Sequence, residues 1–287
     1  MSLESVNTNM GAMVALQSLE NTQQQLSVTQ KQISTGFRVA DSTDDGAAYA
    51  IAQSIRSTVG SLTSANQQLG NATGLLSTTQ AGLNAVSNMM TSMRDVLIKL
   101  SDNSVQGADR SDYEQQYTSK LANVKTFVQD ANYSGKTLIG NIGSATGFGN
   151  IAVVRNDSGA SYGIATFGGS EMYGSIGSAG GFTSTLMSSS TGAASIATLM
   201  TSTFDKQANA VGTALNTIGS AINYINNQTT YNNAKIDALN SGLGSLIDAD
   251  LAKESAQLTA LQIRQQLGTQ ALSLANQAPQ TLLSLFK

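Results

Sequence analysis

The 287 residues contain no cysteine, no histidine and no tryptophan, and proline occurs once, at Pro279. Without cysteine neither a disulfide framework nor a thiolate metal site can form, so a fold outside the cell has to rely on packing. Losing histidine as well removes the usual ligands for zinc, copper and haem, the commonest general base, and the Ser-His and Cys-His nucleophile pairs. The sequence therefore predicts no enzyme, no metal site and no cofactor. Charge is scarce too, at 11% of residues against roughly a quarter in ordinary globular chains. Ser, Thr, Asn, Gln and Ala make up the difference, which suits a surface that is quiet or buried against copies of itself. The 15 Lys+Arg and 18 Asp+Glu leave a net charge of -3, with no basic stripe and interleaved aromatics, so nucleic acid is not an expected partner. Met1 to Gly11 has neither a basic nor an apolar signal region, and no stretch stays apolar for the ~18 residues of a membrane span. The chain reads as neither Sec-targeted nor membrane-inserted.

What is present is helical periodicity at both ends around an irregular middle. Hydrophobic residues make up 40%, sufficient for a packed core, while glycine is dense between Gly135 and Gly192 and sparse in long stretches on either side. Leu19, Leu26 and Ile33 recur at steps of seven with Leu16 and Thr22 beside them, a narrow apolar seam of coiled-coil type. The spacing predicts a first helix from about Val6 to about Ser34, with Thr35-Gly36 as its C-cap and Asp41 to Asp45 as a polar break. A second helix should run from about Asp44 to about Leu100, carrying Ile55, Leu62 and Leu69, then Leu76, Leu83 and Met90. At 1.5 Å per residue it spans roughly 80 Å and needs partners along its length. Gly107 to Asp112 turns the chain into a third helix with Tyr113, Tyr117, Leu121, Val124 and Val128 on one face.

From Asn132 onward the pattern changes. Ile151 to Val154 and Tyr162 to Phe167, separated by Asn156-Asp157-Ser158-Gly159, read as a hairpin. The Gly/Ser/Thr-rich stretch from Gly168 to Ser195 has too little apolar content for a core of its own and reads as a surface loop. Helical periodicity resumes near Phe204 and continues to Leu243. A last helix is expected from about Ser245 to Leu274, ending at Ala278-Pro279, with Leu251, Leu258 and Leu272 on one seam and Ile247, Leu261 and Ala275 on a second.

The two ends resemble the flagellins. Val6-Asn7-Thr8-Asn9, then Gln32 to Val39 and Asp44-Asp45-Gly46-Ala47-Ala48, are similar to that family's INTN and LSSGLRI…DDAAG signatures. Ile247 to Ala252, Gln262-Ile263, Gln265 to Thr269 and Ala275 to Gln280 are similar to IEDSDYA, QI, QQAGT and ANQVPQ. The resemblance covers about Leu3 to Gly140 and about Thr201 to the end, two blocks in the right order. It implies a mainly α fold, a long helical rod with a terminal coiled coil and a small β-hairpin region. Residues 1–43 and 245–287 would form the coiled-coil core domain, 44–140 and 196–244 the helical rod, and 141–195 a short hairpin and loop region on the outer surface. It further implies a structural subunit that polymerises with itself into the bacterial flagellar filament for swimming. Such a subunit is secreted through the flagellum-specific apparatus and meets an export chaperone, hook-filament junction proteins and cap proteins. The alternative it leaves is a hook-filament junction protein. Enzymatic relatives carry a metalloprotease insert, for which this chain lacks the histidines of HExxH and the room.

Leu16, Leu19, Leu26, Ile33, Ile247, Leu251, Leu258, Leu261 and Leu272 are the residues expected to pack the filament core, with the ends largely disordered until assembly buries their seams. Met90 to Val96 aligns with the family's innate-receptor motif, Leu-Gln-Arg-Val-Arg-Glu-Leu. Arg94, Asp95 and Val96 are the candidates there, but Ser92 replaces an arginine and removes a charge-assisted donor, which predicts weak recognition. Asp248, Asp250 and Glu254 could suggest a cation site, yet near a helix start they read more simply as a cap with dipole-favourable acids. Asp44-Asp45-Gly46 lacks the spaced oxygens of a calcium loop and is read as a helix start. The Asn-x-Ser/Thr patterns at Asn71, Asn132, Asn156 and Asn227 are assigned no role. The cluster at Ser184, Thr185, Ser188, Ser189, Ser190 and Thr191 is read as solvated loop in preference to a glycosylated one.

Overall fold

The computed structural model describes residues 9–140, 142 and 148–285, with 278–285 by backbone alone. The sequence reading of Val6, Asn7 and Thr8 falls outside the described residues. The chain divides into two compact units, one made of 1–59 with 237–287 and the other of 60–236.

In the first unit, α1 (Met10–Thr35) starts on Asn9, whose side chain accepts from the Ala12 N–H. It stops at Gly36, which takes the left-handed conformation at φ 73° that glycine adopts without a Cβ penalty. Its partner is α8 (Leu251–Leu285), which opens on Asp250 accepting from the N–H groups of Ala252 and Lys253, the cap read from the sequence. The two run antiparallel, since Asn9 meets Ala275, Leu19 meets Gly268 and Phe37 bridges Asp248. At the Phe37 end the linkers are tied backbone to backbone: Arg38 and Val39 donate to the Ile247 carbonyl, and Ala249 donates to Gly36. A small cluster of Val39, Ala48, Ala52 and Ile247 closes that end.

The last helix departs from expectation at both ends. Ser245 belongs to the preceding helix α7 (Asp205–Ile247), and α8 does not stop at Pro279 but continues to Leu285. A proline inside a helix removes one hydrogen bond and crowds the carbonyl four residues back, so the helix is favoured to continue where another donor satisfies that carbonyl. Here the Asn9 side chain does.

The second unit is built on α2 (Gly46–Leu100) from residue 60 onward, α3 (Gly107–Asp130), which folds back on it, and α7 up to residue 236. Of the predicted α2 positions, Leu62, Leu69, Leu76, Leu83 and Met90 are buried and Ile55 is half-buried; Met93 and Leu97 are buried with them, as are Tyr117, Val124 and Val128 of α3 and Val211, Ile218 and Ile225 of α7. Strands β1 (Ile151–Val154) and β2 (Ser161–Ile164) pair antiparallel, Ile151 opposite Ile164, with Gly159 at φ 78° in the turn between them. Asn232 is fully buried and joins three elements: its Nδ2 donates to Asn66 Oδ1 of α2 at 2.8 Å and to the Arg155 carbonyl beyond β1 at 3.0 Å. Arg110 is also fully buried, and its guanidinium donates to carbonyls of Leu100, Asp102, Val105 and Met187, so a cation caps the C-terminal end of α2.

The stretch read as a surface loop is a correction. Residues 168–195 include α4 (Gly169–Ile176) and α5 (Ser184–Ser188) and lead into α6 (Ala193–Leu199) and a π-helical turn, Met200–Phe204, that runs on into α7. Of its apolar residues, Met172, Ile176, Phe182 and Met187 are buried in the unit's shared core, and Tyr173 and Leu186 pack against it partly buried. They need no core of their own because α3 supplies one: the Tyr117 hydroxyl donates to the Ile176 carbonyl at 2.6 Å and its ring lies 5.8 Å from Phe182.

Candidate self-association surface

Covered positions of α1 include Ala12, Ala15, Leu19, Thr22, Leu26, Thr29 and Ile33, alternating by three and four, with Lys31 and Gln32 also half-buried at its C-terminal end. Those of α8 follow the same rule: Glu254, Leu258, Leu261, Gln265, Gly268, Leu272 and Ala275. Both are heptad seams, the spacing of a helix pair that stays in contact along its length. Gly268 is part of the fit, since a Cβ there would come within 3.2 Å of Leu19.

Of the residues expected to pack a filament core, Leu19, Leu26, Ile33, Leu258, Leu261 and Leu272 lie on these seams, Leu261 buried and the others half-buried. Ile247 is buried in the small cluster at the linkers. Leu16 and Leu251 remain 45% and 49% exposed within the chain. Leu251 keeps the heptad spacing but stands at the first position of α8, beside the end of α1 where Ala249 bonds Gly36, and is covered only in part.

Sequence reasoning missed a second stripe on each helix. Met10, Val14 and Val28 lie on the side of α1 opposite its seam, at 61%, 63% and 48% exposure. Ile263, Leu267 and Leu274 do the same on α8, at 53%, 58% and 72%. At 100° per residue these positions fall about half a turn from the seam positions. The signal was present in the spacing but masked by the stronger seven-residue repeat. Charge does not interrupt either helix much: α1 carries only Glu20 and Lys31, and α8 only Lys253, Glu254 and Arg264. Full burial of six such side chains is worth on the order of 10 kcal/mol.

Lys31 anchors the end of α1 to the break before α2. Its Nζ donates to Asp41 Oδ2 at 2.7 Å and to Asp44 Oδ1 at 2.8 Å. The lysine's hydrogen bonds hold both carboxyls below their usual range, and the N–H and hydroxyl of Thr43 add to the effect at Asp41. Asp45 caps α2 by accepting from Ala47 and Ala48, so the Asp44-Asp45-Gly46 segment is a helix start.

On the second unit Arg94 and Asp95 are exposed, Arg94 in an ion pair with Asp205 at 3.2 Å. Val96 is a correction: it is 4% exposed. It sits three residues after Met93 and four before Leu100, on the stripe of α2 that faces the core, and so offers nothing to a receptor surface. Among the described residues no helix is long and apolar enough to cross a membrane.

Residues 6–144 match the family described as bacterial flagellin N-terminal helical region, and 200–286 match the bacterial flagellin C-terminal helical region. The chain is 32% identical over 289 residues to flagellin FljK of Caulobacter vibrioides, with 100% of each chain covered. It is 31% identical to a flagellin of Brucella melitensis over 99% of this chain and 100% of that one. A solved Vibrio parahaemolyticus structure described as flagellar hook-associated is similar in fold, with a TM-score of 0.60 at 16% identity over 71% of this chain and 100% of that one.

Proposed function

The chain belongs to the bacterial flagellins and is a structural subunit of the flagellar filament, and from that premise we propose that it polymerises by burying the second apolar stripes of α1 and α8 against other copies of itself. The observation that supports this is the pair of half-covered helices, each packed on one face and apolar on the opposite one. A monomer that leaves nine large apolar side chains wet on two nearly uncharged helices gains most by covering them with a second copy. Contacts between unlike surfaces that do not close into a ring extend into a helical polymer. In this reading 1–43 with 245–287 is the core domain, 44–140 with 196–244 the rod, and 141–195 the outer region. The seam residues Leu19, Leu26, Ile33, Leu258, Leu261 and Leu272 hold each coil together, while Leu16 and Leu251 join the stripes in contacting neighbours.

The remaining roles follow from the same surface. The chain does no catalysis; its work is the repeated interface. An export chaperone covers the apolar face of α8 until the subunit leaves through the flagellum-specific channel, and junction and cap proteins meet the ends of the polymer with like helices. With Val96 in the core and Ser92 in place of an arginine, the chain is a weak innate-receptor agonist. The test is electron microscopy and sedimentation of the purified chain. Wild type should form micrometre filaments, and Leu267→Asp with Leu274→Asp should abolish them while leaving the second unit's melting transition in place. Filaments from the double variant would refute the proposal.

A further inference from the structure

Helix α8 passes through Pro279, and a proline has no N–H to give to the carbonyl four residues back. That carbonyl belongs to Ala275, a covered seam position. The donor it lacks comes from the other end of the chain: Asn9 Nδ2 donates to the Ala275 oxygen at 2.6 Å. The same amide is engaged on its other side, where Asn9 Oδ1 accepts from the Ala12 N–H at 3.1 Å and caps α1. One side chain thus starts α1 and completes α8.

We infer that Asn9 and Pro279 form a register latch, in which the proline frees one carbonyl on α8 and the asparagine, fixed at the start of α1, fits it only when the two helices are correctly aligned. The coil needs such a device because its seam encodes alignment poorly. Both seams repeat every seven residues, and α1 places Ala, Thr and single Leu or Ile residues along most of its length. A shift of one heptad, about 10.5 Å along the axis, keeps every seam position facing a seam position. Gly268 opposite Leu19 resists that shift only sterically, through the end of a flexible side chain. The latch resists it chemically, because a shifted α8 leaves the Ala275 carbonyl without a donor and takes the Asn9 donor from its partner. A single polar group that specifies register in an otherwise permissive helix pair is a known use of such residues. Asn9 is a positioning residue for assembly, since it fixes which side chains the coil shows to its neighbours.

The latch bears on filament formation through the role proposed above for the terminal coil, and its own test reads alignment directly. The chain has no cysteine, so paired cysteines report register on a clean background. L19C with G268C should cross-link in the native alignment, and L19C with L261C should cross-link only after a slip of one heptad. N9D keeps the α1 cap but has no amide donor. In full-length chains, assayed both as sedimented filaments and in solution, N9D should raise the slipped-to-native cross-linking ratio about tenfold. P279A restores a helical N–H to Ala275, so in that background N9D should change the ratio less than about twofold. An N9D ratio equal to wild type, or an N9D effect of the same size with and without P279A, overturns the latch. Either result is independent of whether filaments form, since the soluble chain is read alongside.

Discussion

Lys31 bonds two carboxylates at once, and its effect on stability depends on pH from both directions. Asp41 and Asp44 are held below the ordinary value of 3.8, first by their bonds from Lys31, and Lys31 is held above 10.5, first by its bond to Asp41. A depressed carboxyl stabilises the fold above its unfolded value and stops doing so as pH falls through the folded one; a raised lysine stabilises below its unfolded value and stops as pH rises through the folded one. The cluster therefore contributes fully between about pH 5 and pH 10 and is lost in acid as the carboxylates take up protons. Circular-dichroism melts from pH 5 to pH 2 should show the transition of the unit containing 1–59 and 237–287 falling, with a shallower fall in Lys31→Met. At this scale the sequence was legible where a residue acts on its own neighbours: Asp45 and Asp250 cap helices within three positions, as their types suggest, whereas Asn9, read inside a helix from about Val6, is the extended cap before α1. The sequence was silent where the partner is remote, as for Asn232 with Asn66 or Arg110 with Met187.

Glycines inside the helices separate two physical situations that look identical in a sequence. On α2, a Cβ at Gly82 would lie 2.6 Å from the Ala131 Cβ, so the close approach of the chain after α3 requires a bare backbone there. On α7, a Cβ at Gly219 meets nothing within 4 Å. Alanine gains about 1 kcal/mol over glycine in a helix interior. Gly219→Ala should therefore raise the melting temperature of the soluble chain by a few degrees, while Gly82→Ala should lower it despite the same propensity gain; urea denaturation of both variants against wild type decides the signs. The long elements were legible because seven-residue repeats such as Ile55, Leu62 and Leu69 persist far beyond chance. The short ones were not. Residues 168–195 hold too few apolar side chains to show a period, and their helices exist because Tyr117 and Phe204 give Met172, Ile176 and Phe182 somewhere to go. Pro279 misled for a related reason, since local rules end a helix there and only the opposite end of the chain supplies the missing donor.

The two units draw their cores from separate sets of residues, Leu69 to Ile225 in one and the Val39, Ala48, Ala52 and Ile247 cluster with the α1 and α8 seams in the other. Among the described residues, none of α8 belongs to the larger core. A chain ending at Asp250 should thus retain the cooperative transition of unit 60–236 within a few degrees while forming no sedimentable polymer. Calorimetry alongside ultracentrifugation checks both halves, and loss of that transition would show that the units do not fold independently. The signatures at opposite ends put the boundary of the terminal domain at 43 and 245, whereas the compact units divide at 59 and 237. The second stripes were not legible, because the stronger seven-residue repeat of the seams masks their spacing.

The bond from Asn9 to Ala275 joins positions 266 residues apart. Neither half of it can be checked until the other has been made, so a chain cut short anywhere between them leaves the coil open. Only a chain carrying both ends can make the contact, so a product truncated between residues 9 and 275 should lack the paired coil whatever becomes of the rest of it.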